Sequence, residues 1–304
     1  MTTPWPAITY EDWSATCDTL HAYTQVLGKL AVQLAPPEAQ LQHTALRLTA
    51  RGLETPTMPA PNGSGAIVVA LDLRHHEAVV EHTNGADVHI PLTPNRPVAE
   101  VTHDVLEAVR NLAGRVVINT KPQEVPWKAA LDQDTEHATY DDGQVETYFA
   151  AATQAALVLA DFRAPYRGRM SPVNAWWGTF DVAVHLYSGR PADPPSDDFI
   201  MRNSGDAQQI EVGWWPGDPK HGDAAFFAFA YPVPDGFADG RIDPEAAHWS
   251  EELGEFVLEW DDVRRAEDPH AMAVEFARSA FRHACAACGW DETLAASADS
   301  NPVH

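Results

Sequence analysis

The sequence predicts an α+β fold with mostly antiparallel strands and flanking helices. Apolar residues recur at helical spacing near both ends of the chain and in two stretches between them. The remaining stretches alternate apolar with polar residues and carry turn signals, as strands do. The strands come in runs instead of alternating one-for-one with helices, which favours α+β over a parallel α/β fold.

The first elements are a helix followed by several strands. Thr9 and Asp12 form an approximate capping box, and apolar residues then recur at helical spacing as far as Pro36. Asn84-Gly85 is a strong signal for a hairpin with a two-residue loop, which places His82 opposite Asp87. The predicted strands are His43–Leu53, Ala66–Leu73 and the two arms of a hairpin over Ala78–Ile90.

The rest of the chain contains three further helices and a second run of strands. Pro97 starts the first of these helices and Gly114 ends it. The last helix is capped by Asp268, has Pro269 at its first position and runs to Gly289. Between them the sequence predicts a helix over Val145–Phe162 and strands over Val116–Asn119, Phe180–Tyr187, Ile210–Trp215, Phe226–Tyr231 and Phe256–Trp260.

Both halves of the chain thus show a helix, several strands and a helix. We predict a single domain over residues 1–296, in which 1–140 and 141–296 are two structurally similar halves. No residue-level repeat accompanies this pattern. Residues 297–304 are predicted to be a disordered tail.

The charge of the chain limits its partners. It has 44 acidic and 20 basic residues, a net charge of −24. Such a field repels phosphate backbones and anionic lipid, so we expect neither nucleic acid nor a membrane as partner. The sequence shows no apolar segment of spanning length, no secretion signal and an odd number of cysteines, which predicts a cytoplasmic protein.

The predicted strand around residue 183 is the first candidate for a site. Asp181 and His185 share its polar face about 13 Å apart, too far to be hydrogen-bonded members of one triad. On a later strand Glu211 shares a face with Gly213 and Trp215, which sets a carboxylate beside an indole. A solvated face of an antiparallel sheet would show the same pattern.

Aromatic and cationic residues supply further candidates, each with a structural alternative. Tyr231 and two Phe residues alternate with alanines, which is typical of a ligand pocket and also of plain core. Arg51 shares a predicted strand face with His43 and Arg47, which is suited to an anion or to cross-strand ion pairs. His137 lies in an acidic stretch that forms either the rim of a site or a solvated loop.

Metal binding has only weak support in the sequence. Two sets of possible ligands are the hairpin residues His82, Asp87 and His89, and a Cys3His set of Cys17, His21, Cys285 and Cys288. Neither has tight ligand spacing, so no metal ligand is assigned and the cofactor is unknown. GxSxG, P-loop, GxGxxG and HExxH motifs are missing, which weighs against common hydrolases, NTPases, dinucleotide enzymes and zincins.

Several short motifs, spread in order over nearly the whole chain, carry a family resemblance. They are Leu20-His21, Thr24-Gln25, Arg51-Gly52-Leu53, His137, Tyr140-Asp141, Phe162-Arg163, Ser171-Pro172-Val173, Trp177-Gly178-Thr179-Phe180-Asp181, Ser188-Gly189-Arg190, Trp215-Pro216-Gly217 and Ala228-Phe229-Ala230-Tyr231-Pro232. With them the chain resembles a bacterial family catalogued as a domain of unknown function, number fifty-nine ninety-six. The resemblance implies one full-length domain and no established activity.

The resemblance also bears on individual residues. It favours Asp181, Arg190, His137 and Glu211 over the hairpin histidines. The family pattern has His where this chain has Asn174, which puts in doubt a role that needs a titrating imidazole there. Asn174 can still donate and accept hydrogen bonds.

The function that these observations favour is a small-molecule-binding protein or enzyme with an aromatic-walled cleft between the halves, holding an anionic metabolite. The candidate catalytic residues are Asp181, Glu211 and His137, and the candidate ligand-binding residues are Arg51, Arg190, Asn174, Trp177, Trp215 and Tyr231. Two alternatives remain open. One is a non-catalytic protein-interaction module with a Trp-rich surface, and the other is a metal-dependent enzyme with His and carboxylate ligands.

Overall fold

A computed structural model describes residues 4–297 of the chain. The predicted tail over 297–304 therefore lies, apart from its first residue, outside the described residues. The chain forms two compact units. The first unit consists of residues 12–149 and 175–180, and the second unit of the other described residues.

The first unit is built on a long helix and a six-stranded antiparallel sheet. Its helices are α1 (Tyr10–Leu34) and α2 (Val98–Ala113). Its strands are β1 (Arg47–Leu48), β2 (Gly52–Glu54), β3 (Met58–Pro59), β4 (Ala66–Asp72), β5 (Glu77–His82) and β6 (Asp87–Pro91). The strand order is β1-β2-β4-β5-β6, with β3 paired to β4.

The prediction for α2 is confirmed at both ends. Pro97 precedes the helix, and Gly114 ends it at φ 101°, a backbone conformation that favours glycine. Val98, Val101 and Val105 are buried along one stripe, because these spacings return to the same face of a helix. α2 packs through this stripe on β5 and β6.

The predicted strand over His43–Leu53 is wrong. A short 3-10 helix occupies Ala39–Thr44, where Gln40 and Leu41 both have positive φ. β1 and β2 then pair with each other across a turn closed by a hydrogen bond from Thr49 N to Gly52 O. The turn divides the segment, so it cannot be one continuous strand. The predicted strand over Val116–Asn119 is absent as well.

The predicted hairpin at Asn84-Gly85 is confirmed, but its register is not the predicted one. Glu81 pairs with Asp87 and His82 N donates to Ala86 O, so residues 83–85 form a three-residue loop, in which Gly85 takes φ 89°. Strand side chains alternate between faces, and His82 therefore lies on the opposite face from Asp87 and His89. The hairpin does not assemble the three metal ligands that a two-residue loop would have brought together.

The chain continues with α3 (Asp142–Arg163), and a second six-stranded antiparallel sheet follows. Its strands are β7 (Asn174–Trp176), β8 (Asp181–Pro191), β9 (Ala207–Trp215), β10 (Ala225–Tyr231), β11 (His248–Ser250) and β12 (Glu255–Glu259). The order is β11-β12-β10-β9-β8-β7. The helices of this region are α4 (Phe199–Ser204), α5 (Trp260–Arg265), α6 (Pro269–Ala287) and α7 (Glu292–Ser297).

One face of the second sheet is packed against α6. Ring centroids of Phe256 in β12 and His283 in α6 are 5.5 Å apart. Trp214 and Phe226 lie on the same face and contact Trp260, which buries three large aromatic side chains together. Successive side chains of a strand point to opposite faces of a sheet. The residues directly before and after these aromatic residues in each strand therefore form the other face, which is turned away from α6.

Together these elements confirm an α+β fold with two mostly antiparallel sheets and flanking helices. Each sheet lies in sequence between a long helix before it and a long helix after it. Structural similarity of the two halves remains a prediction. Within residues 4–297, no helix combines the length and the apolar character needed to cross a bilayer.

Candidate active site

The face of the second sheet turned away from α6 collects polar and aromatic side chains from four strands. His185 of β8 pairs with Glu211 of β9, which pairs with Phe229 of β10. Glu255 of β12 lies on the same face, because Val257, two residues later, pairs with Phe227. One row across the sheet thus presents an imidazole, a carboxylate, a phenyl ring and a second carboxyl.

His185 and Glu211 form a close side-chain contact at the centre of this row. His185 Nε2 lies 2.8 Å from Glu211 Oε2, and the two side chains are only 10% and 12% exposed. Ser171 fixes the histidine's backbone, since its Oγ accepts from His185 N at 2.9 Å. Ser171 N also donates to His185 O at 2.9 Å. The pair is therefore held on a rigid, hydrogen-bonded strand.

Glu255 is the titratable group that this site perturbs most. Burial, helped by the negative charge of Glu211, raises its pKa from 4.5 to about 8, while Lys220 acts in the opposite direction. Glu255 is therefore mainly protonated at neutral pH. The face holds a carboxylic acid that can donate a proton and, one strand beyond Phe229, a carboxylate that can accept one.

Aromatic rings form the wall beside these groups. A Cβ on Gly213 would lie 2.4 Å from Phe227 Cζ, so the ring lies directly over the glycine backbone. Trp215 contacts Phe227 with ring centroids 5.3 Å apart. Trp215 is only 9% exposed, whereas Phe229 and Tyr231 are partly exposed and border the accessible part of the face.

A cation lies next to the same row. Tyr187 shares the face with His185, two residues further along β8, and Arg169 Cζ lies 4.1 Å from the centroid of its ring. Arg169 precedes β8 and is positioned by a hydrogen bond from Tyr187 N to its carbonyl oxygen. Arg169 was not predicted from the sequence, because no spacing links a loop arginine to a tyrosine eighteen residues later.

The family model described as "Family of unknown function (DUF5996)" matches residues 5–297. The chain belongs to this family. The match confirms the resemblance and covers nearly all of the described residues of both units. No curated protein and no solved structure matches the chain.

In this DUF5996 member, four of the predicted site residues share the face of the second sheet. They are Asp181, Glu211, Trp215 and Tyr231. Asp181 is 5% exposed at the start of β8, on the face that carries His185. Tyr231 donates its hydroxyl to Asp193 O at 2.6 Å, which orients the ring at the edge of the face. Asn174, in β7, is fully buried.

The two arginines predicted to hold an anion lie elsewhere. Arg51 belongs to the first unit and forms ion pairs with Glu54 and Glu81. Arg190 is exposed and donates to Gly289 O at 3.3 Å. Arg169 is thus better placed than either of them to hold an anionic group at this face.

His137 and Trp177 belong to the first unit. His137 Nδ1 lies 2.6 Å from Asp134 Oδ2, and the Asp134 side chain is fully buried. The sequence carries a signal for this pair, since Asp-x-x-His also occurs at Asp72 and His75 with the same contact at 3.0 Å. The motif is a local turn in which the aspartate also accepts backbone N–H groups.

Metal ligands are not grouped in the described part of the family member. Over residues 4–297, no set of three or more His, Cys, Asp or Glu side chains is arranged to hold a metal ion. His89 pairs with Glu77 and Asp87, and His82 Nε2 lies 2.9 Å from Ser64 Oγ.

Proposed function

We propose that the chain binds a small anionic molecule on the face of the second sheet turned away from α6 and transfers protons to and from it. The observation that carries this proposal is the position of the buried Glu255, whose pKa is raised, on the same face as the Glu211–His185 contact. Two carboxyl groups with different protonation states on one face are a recurrent arrangement for general acid and general base catalysis.

The two carboxyl groups have complementary roles in this proposal. Glu255 donates its proton to an oxygen or nitrogen of the bound molecule on which negative charge develops. Glu211 accepts a proton from the molecule or from an attacking water, and His185 holds the carboxylate in place. One proton is given and one is taken, so the site returns to its starting state after exchange with solvent.

Binding is assigned to the aromatic wall and to Arg169. Phe229 and Tyr231 offer apolar surface at the accessible border, and the Arg169 guanidinium stands over the neighbouring Tyr187. A guanidinium forms strong charge-assisted hydrogen bonds with carboxylates and phosphates. A small molecule with one planar apolar part and one anionic group fits this combination.

The alternative of an interaction module with a Trp-rich surface has less support. Of the four tryptophans considered for such a surface, Trp176 is partly exposed, and Trp177, Trp214 and Trp215 are 5%, 0% and 9% exposed, so three of the four contribute core packing instead of an exposed apolar patch. The metal-dependent alternative has no grouped ligand set among residues 4–297 on which to rest.

The expected setting is the bacterial cytoplasm. Cys17, Cys285 and Cys288 are free thiols, as is usual in a reducing compartment. The net charge of −24 argues against nucleic acid as a partner.

The first test measures the protonation of Glu255. We expect its ¹³C carboxyl resonance, assigned with Glu255→Gln, to titrate near pH 8 and to shift to lower pH in Glu211→Gln. The native state then binds this proton more tightly than the unfolded state. Its stabilising effect is complete below about pH 4.5 and is lost as pH rises through about 8. Glu255→Gln should accordingly flatten the fall in unfolding free energy between pH 5 and 8.

The control for this titration is Glu251→Gln, which removes an exposed carboxylate just before β12. It should leave both the titration and the stability profile unchanged. A Glu255 titration below pH 5 would remove the general acid from the site and contradict the proposed proton transfer.

The second test measures binding with benzoate, a planar apolar anion, by calorimetry. Because Arg169 would lose a charge-assisted contact, we expect Arg169→Gln to weaken the Kd about tenfold, equivalent to about 1.4 kcal/mol. Arg167→Gln removes an exposed arginine from the same segment and should leave the Kd unchanged. Equal weakening in both variants would show that net charge, and not this face, determines binding.

A further inference from the structure

Lys29 is a buried lysine without an acidic partner. It lies on α1 and is 4% exposed. Its Nζ donates to Gln123 Oε1 at 3.0 Å and stands 5.3 Å from the ring centroid of Trp177. Within residues 4–297, no carboxylate lies within ion-pair distance of this amine, although the chain has 44 acidic residues.

The side chains in polar contact around Lys29 are neutral, and the nearby Glu124 carboxylate lies against Gly178, where a Cβ would be 2.1 Å from its Oε2. Gln25, one turn earlier, accepts from Gln123 N at 3.0 Å and donates to Gln123 O at 2.8 Å. His21, one further turn back, has its Nε2 within 3.0 Å of the carbonyl oxygens of Trp177 and Gly178. Burial lowers the pKa of His21 to about 4, so the imidazole is uncharged at neutral pH and Nε2 carries the proton that both carbonyls accept.

Burial also changes the charge state of the amine. It lowers the pKa of Lys29 from 10.5 to about 8. Roughly one-fifth of the side chains are then unprotonated at pH 7.4, against roughly one-thousandth for an ordinary lysine. The unprotonated amine is the nucleophilic form, and burial without a counter-charge is how lysines are activated in proteins.

The segment over the amine has no regular structure. Residues 114–130 form neither helix nor strand, and Gln123 itself is partly exposed. Glu124 beside it has φ 60°, a conformation that non-glycine residues rarely adopt. Displacement of the Gln123 side chain, which accepts the hydrogen bond from Nζ, would therefore disturb no hydrogen bond of a helix or strand.

We propose that Lys29 is a reactive amine that forms an imine with a small neutral aldehyde or ketone entering past Gln123. The Nζ lone pair attacks the carbonyl carbon and the carbonyl oxygen takes up a proton. The resulting carbinolamine then loses water, and the C–N double bond forms. The reaction needs no oxidant or reductant. A neutral carbonyl compound suits the site because His21, Gln25 and Gln123 offer no second cation to bind an anionic substrate. This site is separate from the proposed acid–base face and stands whether or not that function holds.

The test uses acetaldehyde with cyanoborohydride, which traps an imine as N-ethyl lysine. Only four lysines are present, Lys29, Lys121, Lys128 and Lys220, so peptide mapping by mass spectrometry assigns every product. At pH 7.4 we expect Lys29 to be ethylated at least tenfold faster than the exposed Lys121 and Lys128. Its rate should level off above about pH 8, whereas theirs should still rise.

Two variants separate reactivity from accessibility. Gln123→Ala removes the side chain over the amine and should accelerate ethylation of Lys29 without changing that of Lys128. Lys29→Met removes the amine and should abolish the labelled peptide, and the comparison of wild type with Gln123→Ala decides the matter even if Lys29→Met does not fold. A Lys29 rate at or below that of Lys121 and Lys128, in both wild type and Gln123→Ala, overturns the proposal.

Discussion

At the residue scale, Gly28 shows how one missing side chain positions another. A Cβ at this point of α1 would lie 2.1 to 2.3 Å from three ring atoms of Trp177. The indole therefore lies flat on the helix backbone, next to Lys29, and cannot be a mobile ligand contact. Trp177 is a structural residue of the first unit, whose carbonyl group accepts a hydrogen bond from His21.

Gly28→Ala is expected to destabilise the protein. Alanine normally stabilises a helix by up to about 1 kcal/mol over glycine. Here the steric overlap with Trp177 should outweigh this gain in helix stability, because a ring packed on backbone cannot move away without losing its own contacts. Such overpacking costs about 1–3 kcal/mol. Urea unfolding measures the difference. Gly143→Ala in α3 is the matched control, since its Cβ would meet only Asp141 Oδ1 at 3.4 Å. Equal effects of the two substitutions would contradict the packing argument.

At the element scale, helix ends that are marked by neighbouring residues were predicted correctly from the sequence, whereas strand continuity and strand register were not. The cap of α6 was visible in the sequence, and Asp268 Oδ1 indeed accepts from Ala271 N at 3.0 Å. The prediction of one continuous strand over His43–Leu53 was wrong because a turn, closed by the hydrogen bond from Thr49 N to Gly52 O, divides the segment. The hairpin was predicted correctly except for its register, since both two-residue and three-residue loops can contain Asn-Gly.

The same distinction explains which site residues were found. Glu211 was predicted beside Gly213 and Trp215, because alternation along one strand places them on one face. Glu255 was missed, since its position depends on how β12 pairs with β10, and that register is set by contacts distant in sequence. Arg169 and Lys29 were missed for a related reason. Each is identified by its position beside an aromatic ring from a segment distant in sequence, Tyr187 for Arg169 and Trp177 for Lys29.

At the scale of the whole molecule, two electrostatic effects oppose each other. The net charge of −24 makes the folded chain repel itself. Exposed pairs such as Arg110–Glu107 and Arg265–Asp261 act against this repulsion, each worth about 0–1 kcal/mol. Salt weakens both effects, because the Debye length falls from about 30 Å at 0.01 M to about 3 Å at 1 M.

The repulsion should prevail, since acidic residues outnumber basic ones by more than two to one and most carboxylates have no cation to pair with. We therefore expect Tm to rise on the order of 3 °C between 10 mM and 500 mM NaCl, as followed by calorimetry. Tetramethylammonium chloride at equal ionic strength should give a similar rise, because screening depends on ionic strength and not on the cation. A Tm that falls with both salts would mean that the surface ion pairs outweigh the net charge. The acidic composition would then be balanced by specific pairing instead of merely tolerated.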